Sequence, residues 1–237
     1  MLWKVTQHFL TTLVVLYSGI HWGISCIPGV YMVFYMIEFT KEFSIFGQSI
    51  FIGMSIGIGI IIWMVSNIFI TAIIGFIFKP SINNARVPFF SLRTVQWAFL
   101  SVIDRLAKPC VQHMVPSWIT NFYYRAMGCK IGKDAIISSD RINDAYMVEI
   151  GKGSIIGSRA LVTAHIAEKN NLVLSPISIG NNCLIGLGAQ INPGCIIEDD
   201  VVIASRAIVP KYTTVPAGET WAGIPAKSIK KKKVNLI

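Results

Sequence analysis

The sequence predicts a mainly β fold, a left-handed parallel β-helix of hexapeptide repeats preceded by two transmembrane helices and an interfacial helix. Three observations predict it: an aliphatic residue at every sixth position of the C-terminal half, a small residue four positions after most of them, and two long uncharged apolar runs in the first third. The division that follows is a two-helix membrane anchor (1–80), interfacial and capping helices (81–128), the β-helix (129–228) and a basic tail (229–237).

The repeat comes first. Ile179, Ile185, Ile191, Ile197, Ile203, Val209 and Val215 follow one another at intervals of six. Ile150, Ile156 and Val162 keep the same step, and Ile131 with Ile137 opens it. A six-residue aliphatic period fits neither an α-helix nor an alternating strand. It fits a three-sided coil in which each hexapeptide makes one side and every aliphatic residue points inward. Ser154, Ala160, Cys183, Ala189, Cys195 and Ala207 fill the fourth position after the aliphatic one, with Val201 and Thr213 the larger members. Tight corners leave room for little else. Cys183 and Cys195 therefore read as packing residues, and the odd count of five cysteines without a CxxC reads as reduced thiols.

Hydrophobic residues make up 53% of the chain and charged residues 14%, the latter well below the roughly 25% of soluble domains. The excess lies in Phe9 to Ile37 and Phe43 to Phe78, each beyond the ~20 residues that span a bilayer as a helix. A cleaved signal peptide competes for the first run, because Lys4 precedes it, but after Ser25 and Cys26 the apolar sequence resumes at Ile27 and Val30. Pro28 and Gly29 predict a kink or an early end, which leaves a re-entrant hairpin open. In the second run Gly53 and Gly57, with Gly59 close by, either let the first run or a neighbouring chain approach closely or simply reflect the frequency of glycine in membrane helices.

Lys79, Arg86, Arg93, Arg105 and Lys108 follow the second run, and Lys230 to Lys233 stand near the C-terminus, whereas the hinge holds Glu38, Lys41 and Glu42. The positive-inside rule puts both ends, and with them the β-helix, in the cytoplasm of a multi-pass membrane protein. The net charge of +9 then suits anionic membrane lipid, and no nucleic-acid-binding signature accompanies it. Ser81 to Pro88 reads as a polar linker. Phe89 to Leu106 reads as a helix with its aromatic side in the headgroups, broken by Pro109 and Pro116, and Trp118 to Met127 as a short helix capping the open end of the coil.

The period slips once in the middle of the repeat, since Val162 and Ile179 are seventeen residues apart, one short of three hexapeptides. The segment between Thr163 and Ser178 must leave the coil as a loop, and it carries His165, the lone histidine of the repeat region. Imidazole suits proton transfer near neutral pH, and loops on rigid scaffolds concentrate functional groups. His165 is thus the candidate catalytic residue. Glu168 either orients the imidazole or is a solvated loop charge.

The entry segment Tyr124 to Gly132 and the exit Trp221-Ala222-Gly223-Ile224-Pro225-Ala226-Lys227 resemble the hexapeptide-repeat acyltransferases, the exit being similar to their G-x-P-A-K/R ending. Thr163-Ala164-His165 further resembles the membrane-linked β-helix domains of poly-lysine synthetase-like enzymes. The resemblance spans about Arg125 to Lys230. It implies an acyl-CoA-dependent acyltransferase, most directly an acetyltransferase, with His165 as general base and acetyl-CoA or another acyl-CoA as co-substrate. It also places the backbone of Ala204, Ser205, Ala222 and Gly223 beside the pantetheine arm, Lys227 near phosphate with Lys211 as an addition, and the active site between the subunits of a homotrimer. No metal is expected. The apolar runs, foreign to the soluble members, point to a membrane-associated acceptor such as a lipid-linked sugar. Two rivals share the fold. A γ-type carbonic anhydrase needs three zinc-binding histidines, and a noncatalytic trimeric scaffold anchored in the membrane needs no His165. A carrier-protein thioester is the alternative donor.

Overall fold

The computed structural model describes residues 2–80 and 84–229. Part of the polar linker and the Lys230 to Lys233 run lie outside the described residues. Four helices precede the repeat: α1 (Leu2–Phe39), α2 (Ile45–Phe78), α3 (Leu92–Met114) and α4 (Trp118–Ala126).

The repeat folds as a β-helix with three parallel faces. On the first face Ile131, Ile150, Ile179, Ile197 and Val215 stand one above another. The second face stacks Ile137, Ile156, Ile185 and Ile203 below Trp221, and the third stacks Ile142, Val162, Ile191 and Val209. Ile137, Ile156, Ile185, Ile191 and Ile203 are at most 1% exposed, and each such side chain contributes about 2 kcal/mol by burial. The small residues are buried beside them: Ser154, Ala160, Cys183, Ala189, Cys195 and Ala207. Burial pushes the Cys183 and Cys195 thiols above their ordinary range, which suits packing rather than nucleophilic chemistry.

One positional rule emerges from the backbone alone. The third residue after an inward aliphatic residue adopts a left-handed conformation: Asp134, Arg159, Asn182, Asp200, Arg206 and Tyr212, with Gly153, Gly188, Gly194 and Gly218 at equivalent places. This residue turns the chain from one face to the next. Asp, Asn and Gly tolerate the turn readily, whereas Arg and Tyr do so at a cost of about 1 kcal/mol.

The coil is interrupted twice. The expected loop after Val162 is a β-hairpin of His165–Glu168 and Asn171–Leu174, and Ala85–Pro88 adds a third antiparallel strand to it. The linker after α2 is thus partly a strand. The other interruption follows Ile142, where a single helical turn, Ala145–Met147, bulges before the first face resumes at Val148.

The helices differ from expectation in three respects. Pro28 does not end α1 early, and the helix runs on to Phe39. The two apolar helices lie antiparallel, since Gly29 meets Gly59 while His21 meets Asn67 and Thr71 further down. Their close approach uses Gly29 and Gly59, not Gly53 and Gly57: a Cβ on Gly29 would fall 2.5 Å from the Gly59 carbonyl oxygen, whereas nothing lies within 4 Å of one on Gly53 or Gly57. Finally, Pro109 sits inside α3, and the break comes at Pro116 instead. A proline weakens the preceding turn of carbonyl bonding, and here the Leu106 carbonyl accepts from Asn67 Nδ2 at 3.0 Å and Trp22 Nε1 at 3.2 Å. The bond Pro109 itself cannot make is to the Arg105 carbonyl, and the adjoining Leu106 carbonyl is the one that side chains of α1 and α2 engage as the helix continues.

Helix α3 bridges the apolar hairpin and the coil. Leu100, Ile103, Leu106, Ala107, Cys110 and Val111 form its buried face, and Phe90 just before it and Leu92, Val95 and Phe99 along its beginning stay exposed. Helix α4 covers the first turn of the coil with Tyr123 and Tyr124, both fully buried, and Tyr124 donates to the Ser139 carbonyl at 3.2 Å.

The glycine contact yields a test. Gly29→Ala should lower the thermal unfolding midpoint in detergent, by a loss of about 1–3 kcal/mol from overpacking, while Gly53→Ala should leave it within error.

Candidate functional site

The two interruptions of the coil converge. His165 opens the hairpin that leaves the third face, and Asp144 lies in the bulge that leaves the same face one turn earlier. Its left-handed backbone, φ 56°, is the point where the chain departs from the hexapeptide path. His165 Nδ1 donates to Asp144 Oδ2 at 2.5 Å. The Asp144 side chain is 3% exposed and that of His165 27%, so a nearly buried carboxylate holds an imidazole that still reaches solvent. With Nδ1 carrying the proton, Nε2 is left with its lone pair. Thr163 Oγ1 lies 3.3 Å from the same Nδ1.

The second oxygen of Asp144 is also engaged. Trp97 Nε1, on α3, donates to Asp144 Oδ1 at 2.9 Å. The indole and imidazole meet edge to face, with centroids 4.8 Å apart. A cavity of about 290 Å³ opens beside the pair, lined on one side by Trp97, Leu100, Ser101, Asp104, Arg105 and Lys108 of α3, and on the other by Asn143, Asp144, Ala145, Tyr146 and His165. Met127, which packs against Gly75 in the last turn of α2, completes the lining. The Tyr146 hydroxyl is buried without a partner among the described residues. Burial first, and the nearby Asp144 charge second, hold its proton on well above the usual phenol range. Lys108 is held by Asp104 at 3.2 Å and by the Ile142 carbonyl at 3.0 Å.

Sequence reasoning placed His165 at a break in the coil, and the structure puts it there. It did not find Asp144 or Trp97. The signal for Asp144 was present, because Ile137 and Ile150 are thirteen residues apart, one more than two hexapeptides. Trp97 carried no such signal and read as a headgroup aromatic.

Glu168 does not contact the imidazole. It pairs with Lys211 of the coil and with Arg86 of the third hairpin strand at 3.5 Å. The hydrogen bond from Lys211 foremost, and then the Lys211 and Arg86 charges, hold its carboxyl below the usual glutamate range. Lys211, expected near phosphate, is engaged in this pair. Ala204 and Ser205 lie past the second face of the fourth turn. Ala222 and Gly223 are one turn above, paired antiparallel with Lys227 and Ala226. None of Ala204, Ser205, Ala222, Gly223 and Lys227 lines the His165 cavity.

Coil and corner pattern together define a hexapeptide-repeat β-helix, and residues 176–211 match the family model described as bacterial transferase hexapeptide (six repeats). The chain is similar to delta-poly-L-ornithine synthetase of Acinetobacter baumannii, 29% identical over 148 residues that are 62% of this chain and 11% of that protein. It is also similar to gamma carbonic anhydrase 2 of Arabidopsis thaliana, 26% identical over 44% of this chain and 40% of that one. Galactoside O-acetyltransferase of Escherichia coli is 36% identical over 38% of this chain and 46% of that one. The chain thus spans from 11% to 46% of the length of these relatives. Among solved structures, a maltose O-acetyltransferase from Clostridium difficile aligns with a TM-score of 0.47 at 17% identity, covering 62% of this chain and 91% of that one.

The Glu168 pairs give a pH prediction. A depressed folded value means that their contribution is complete above the ordinary 4.5 and is lost as pH falls through the lower folded value. Corrected hydrogen exchange across 165–174 should therefore be slow at neutral pH and accelerate under more acid conditions. Glu168→Gln should show the fast behaviour already at neutral pH.

Proposed function

We propose that the chain is an acyltransferase, with acetyl from acetyl-CoA the leading donor group and a hydroxyl or amine on a membrane-associated molecule, such as a lipid-linked sugar, the acceptor. The single observation that carries this reading is the Asp144–His165 pair at 2.5 Å, set in a cavity beside the last turn of α2. Asp144 fixes the tautomer, so Nε2 takes the proton from the acceptor as its oxygen or nitrogen attacks the thioester carbonyl. The tetrahedral oxyanion collapses, the C–S bond breaks, and the imidazolium returns the proton to the departing thiolate. Acyl-enzyme chemistry is not needed, because thiols in the coil are buried and protonated. Glu168 serves to anchor the hairpin that carries His165.

Ala204, Ser205, Ala222, Gly223 and Lys227 form the acyl-CoA surface in this reading. They belong to the cavity of a neighbouring subunit, because their own chain sets them apart from His165. A left-handed coil assembled as a homotrimer supplies that neighbour. Ile136, Ile155 and Leu184, exposed by 46%, 38% and 42%, form an outward apolar column on the second face that association would cover.

Helices α1 and α2 contain stretches of 29 and 34 residues that are long and apolar enough to cross a membrane, and only 17% and 28% of their most apolar windows are buried. Mostly exposed apolar helices are poor core helices and suit lipid. The basic residues after α2 put the β-helix on the cytoplasmic side, with Phe90, Leu92, Val95 and Phe99 at headgroup level. A zinc-dependent hydration of carbon dioxide, raised by the carbonic anhydrase likeness, needs three histidines where the coil offers His165.

The test is thiol release from acetyl-CoA, with and without membrane extract, by the full chain in detergent. His165→Ala should reduce transfer about 10²–10⁴-fold, and Asp144→Asn should reduce it by a smaller factor. Unchanged transfer in His165→Ala would leave the noncatalytic scaffold as the better reading. Native mass spectrometry should show bound CoA and a trimeric mass.

A further inference from the structure

The dyad has a third member that comes from outside the coil. A carboxylate held at one oxygen still rotates about its Cβ–Cγ bond, and a second donor at the other oxygen fixes its plane. Asp144 has that second donor: His165 Nδ1 meets Oδ2 at 2.5 Å and Trp97 Nε1 meets Oδ1 at 2.9 Å. The indole also packs against the imidazole edge to face, at 63° between planes. Trp97 therefore touches both partners, one by hydrogen bond and one by ring contact.

Trp97 is in turn placed by the apolar helices. Its helix, α3, is fastened at Leu106, whose carbonyl accepts from Asn67 Nδ2 of α2 and Trp22 Nε1 of α1. Asn67 Oδ1 lies 2.8 Å from His21 Nε2, so the fastening extends across both helices. Two residues from Trp97, Phe99 meets Phe78 at the end of α2 with ring centroids 5.5 Å apart.

We infer that Trp97 is a positioning residue for the His165 base, aligning it through Asp144, and that the α1–α2 hairpin sets this alignment by holding α3. The inference rests on the acyl-transfer reading for its catalytic meaning, but its geometry is independent of the reaction. An indole N–H that supports a buried carboxylate sharpens the orientation of the imidazole without touching either substrate. It acts on turnover rather than on donor binding.

Trp97→Phe keeps an aromatic ring and removes the N–H. In acetyl-CoA thiol release, kcat should fall about tenfold, the size expected for losing a hydrogen bond to a charged group, with KM for acetyl-CoA within about twofold. In an Asp144→Asn background the same substitution should add less than about twofold, because the two act as one unit. Equal losses in both backgrounds, or wild-type kcat in Trp97→Phe, would overturn the inference. Should Trp97→Phe not fold, Asn67→Leu, remote from the cavity, should lower kcat in the wild type and have no further effect on Asp144→Asn. An undiminished effect there overturns the coupling.

A second readout needs no acyl donor. Carbethoxylation of His165 by diethylpyrocarbonate, followed by peptide mass spectrometry, should slow in both Trp97→Phe and Asp144→Asn, and no further in the double variant. Unchanged labelling in Trp97→Phe removes the positioning role. Full transfer activity in His165→Ala, with labelling slowed in Trp97→Phe, removes only the acyl-transfer reading.

Discussion

Everything in the C-terminal half depends on one packing constraint, the stacking of inward aliphatic side chains on those of the next turn. Ile179 over Ile197 and Ile185 over Ile203 are separated by three hexapeptides, so one step length serves three faces. A prism built this way has a dry core, and its corners are forced into a left-handed turn at fixed places. Insertions are tolerated only where the chain can leave one face and return to the next in register. The structure uses that freedom twice, both times after the third face, and the two excursions meet as Asp144 and His165.

That constraint also explains which parts of the molecule were legible in the sequence. The aliphatic step is a local rule, so the coil, its inward residues and its small fourth positions follow from spacing alone. The corner rule was hidden because Asp134, Arg159, Asn182 and Tyr212 share a backbone conformation rather than a side-chain type. His165 was visible because it stands in an obvious slip of phase. Asp144 stands in a slip of the same size, one residue, but with no histidine beside it and at the opening of the repeat, where few periods precede it to set the phase. Trp97 lay beyond spacing arguments, since only the packing of α3 against the coil brings it to the carboxylate.

The helical half was read well for hydropathy and less well for contacts. Apolar length predicts two long helices, and the structure has them, but of the glycines singled out in the second run only Gly59 serves the crossing within the chain, where it meets Gly29. A small residue is necessary for close approach and says nothing about which face turns inward. Pro109 misled in the opposite direction. Proline removes one helical bond without having to end the helix, and here α3 runs through it, with Asn67 and Trp22 of the neighbouring helices holding the adjoining Leu106 carbonyl.

The hairpin leaves between the second and third turns of the coil, and the turns are spaced like neighbouring strands, about 4.8 Å apart. The coil thus acts as a graduated scale whose zero is the first turn, covered by α4, with the strand that leads to His165 one division, roughly 5 Å, above it. Lengthening or shortening the coil by a whole turn below the hairpin would shift that height in a single fixed increment. The height of the His165 ring relative to the covered end is therefore quantised by repeat number rather than adjusted by loop flexibility.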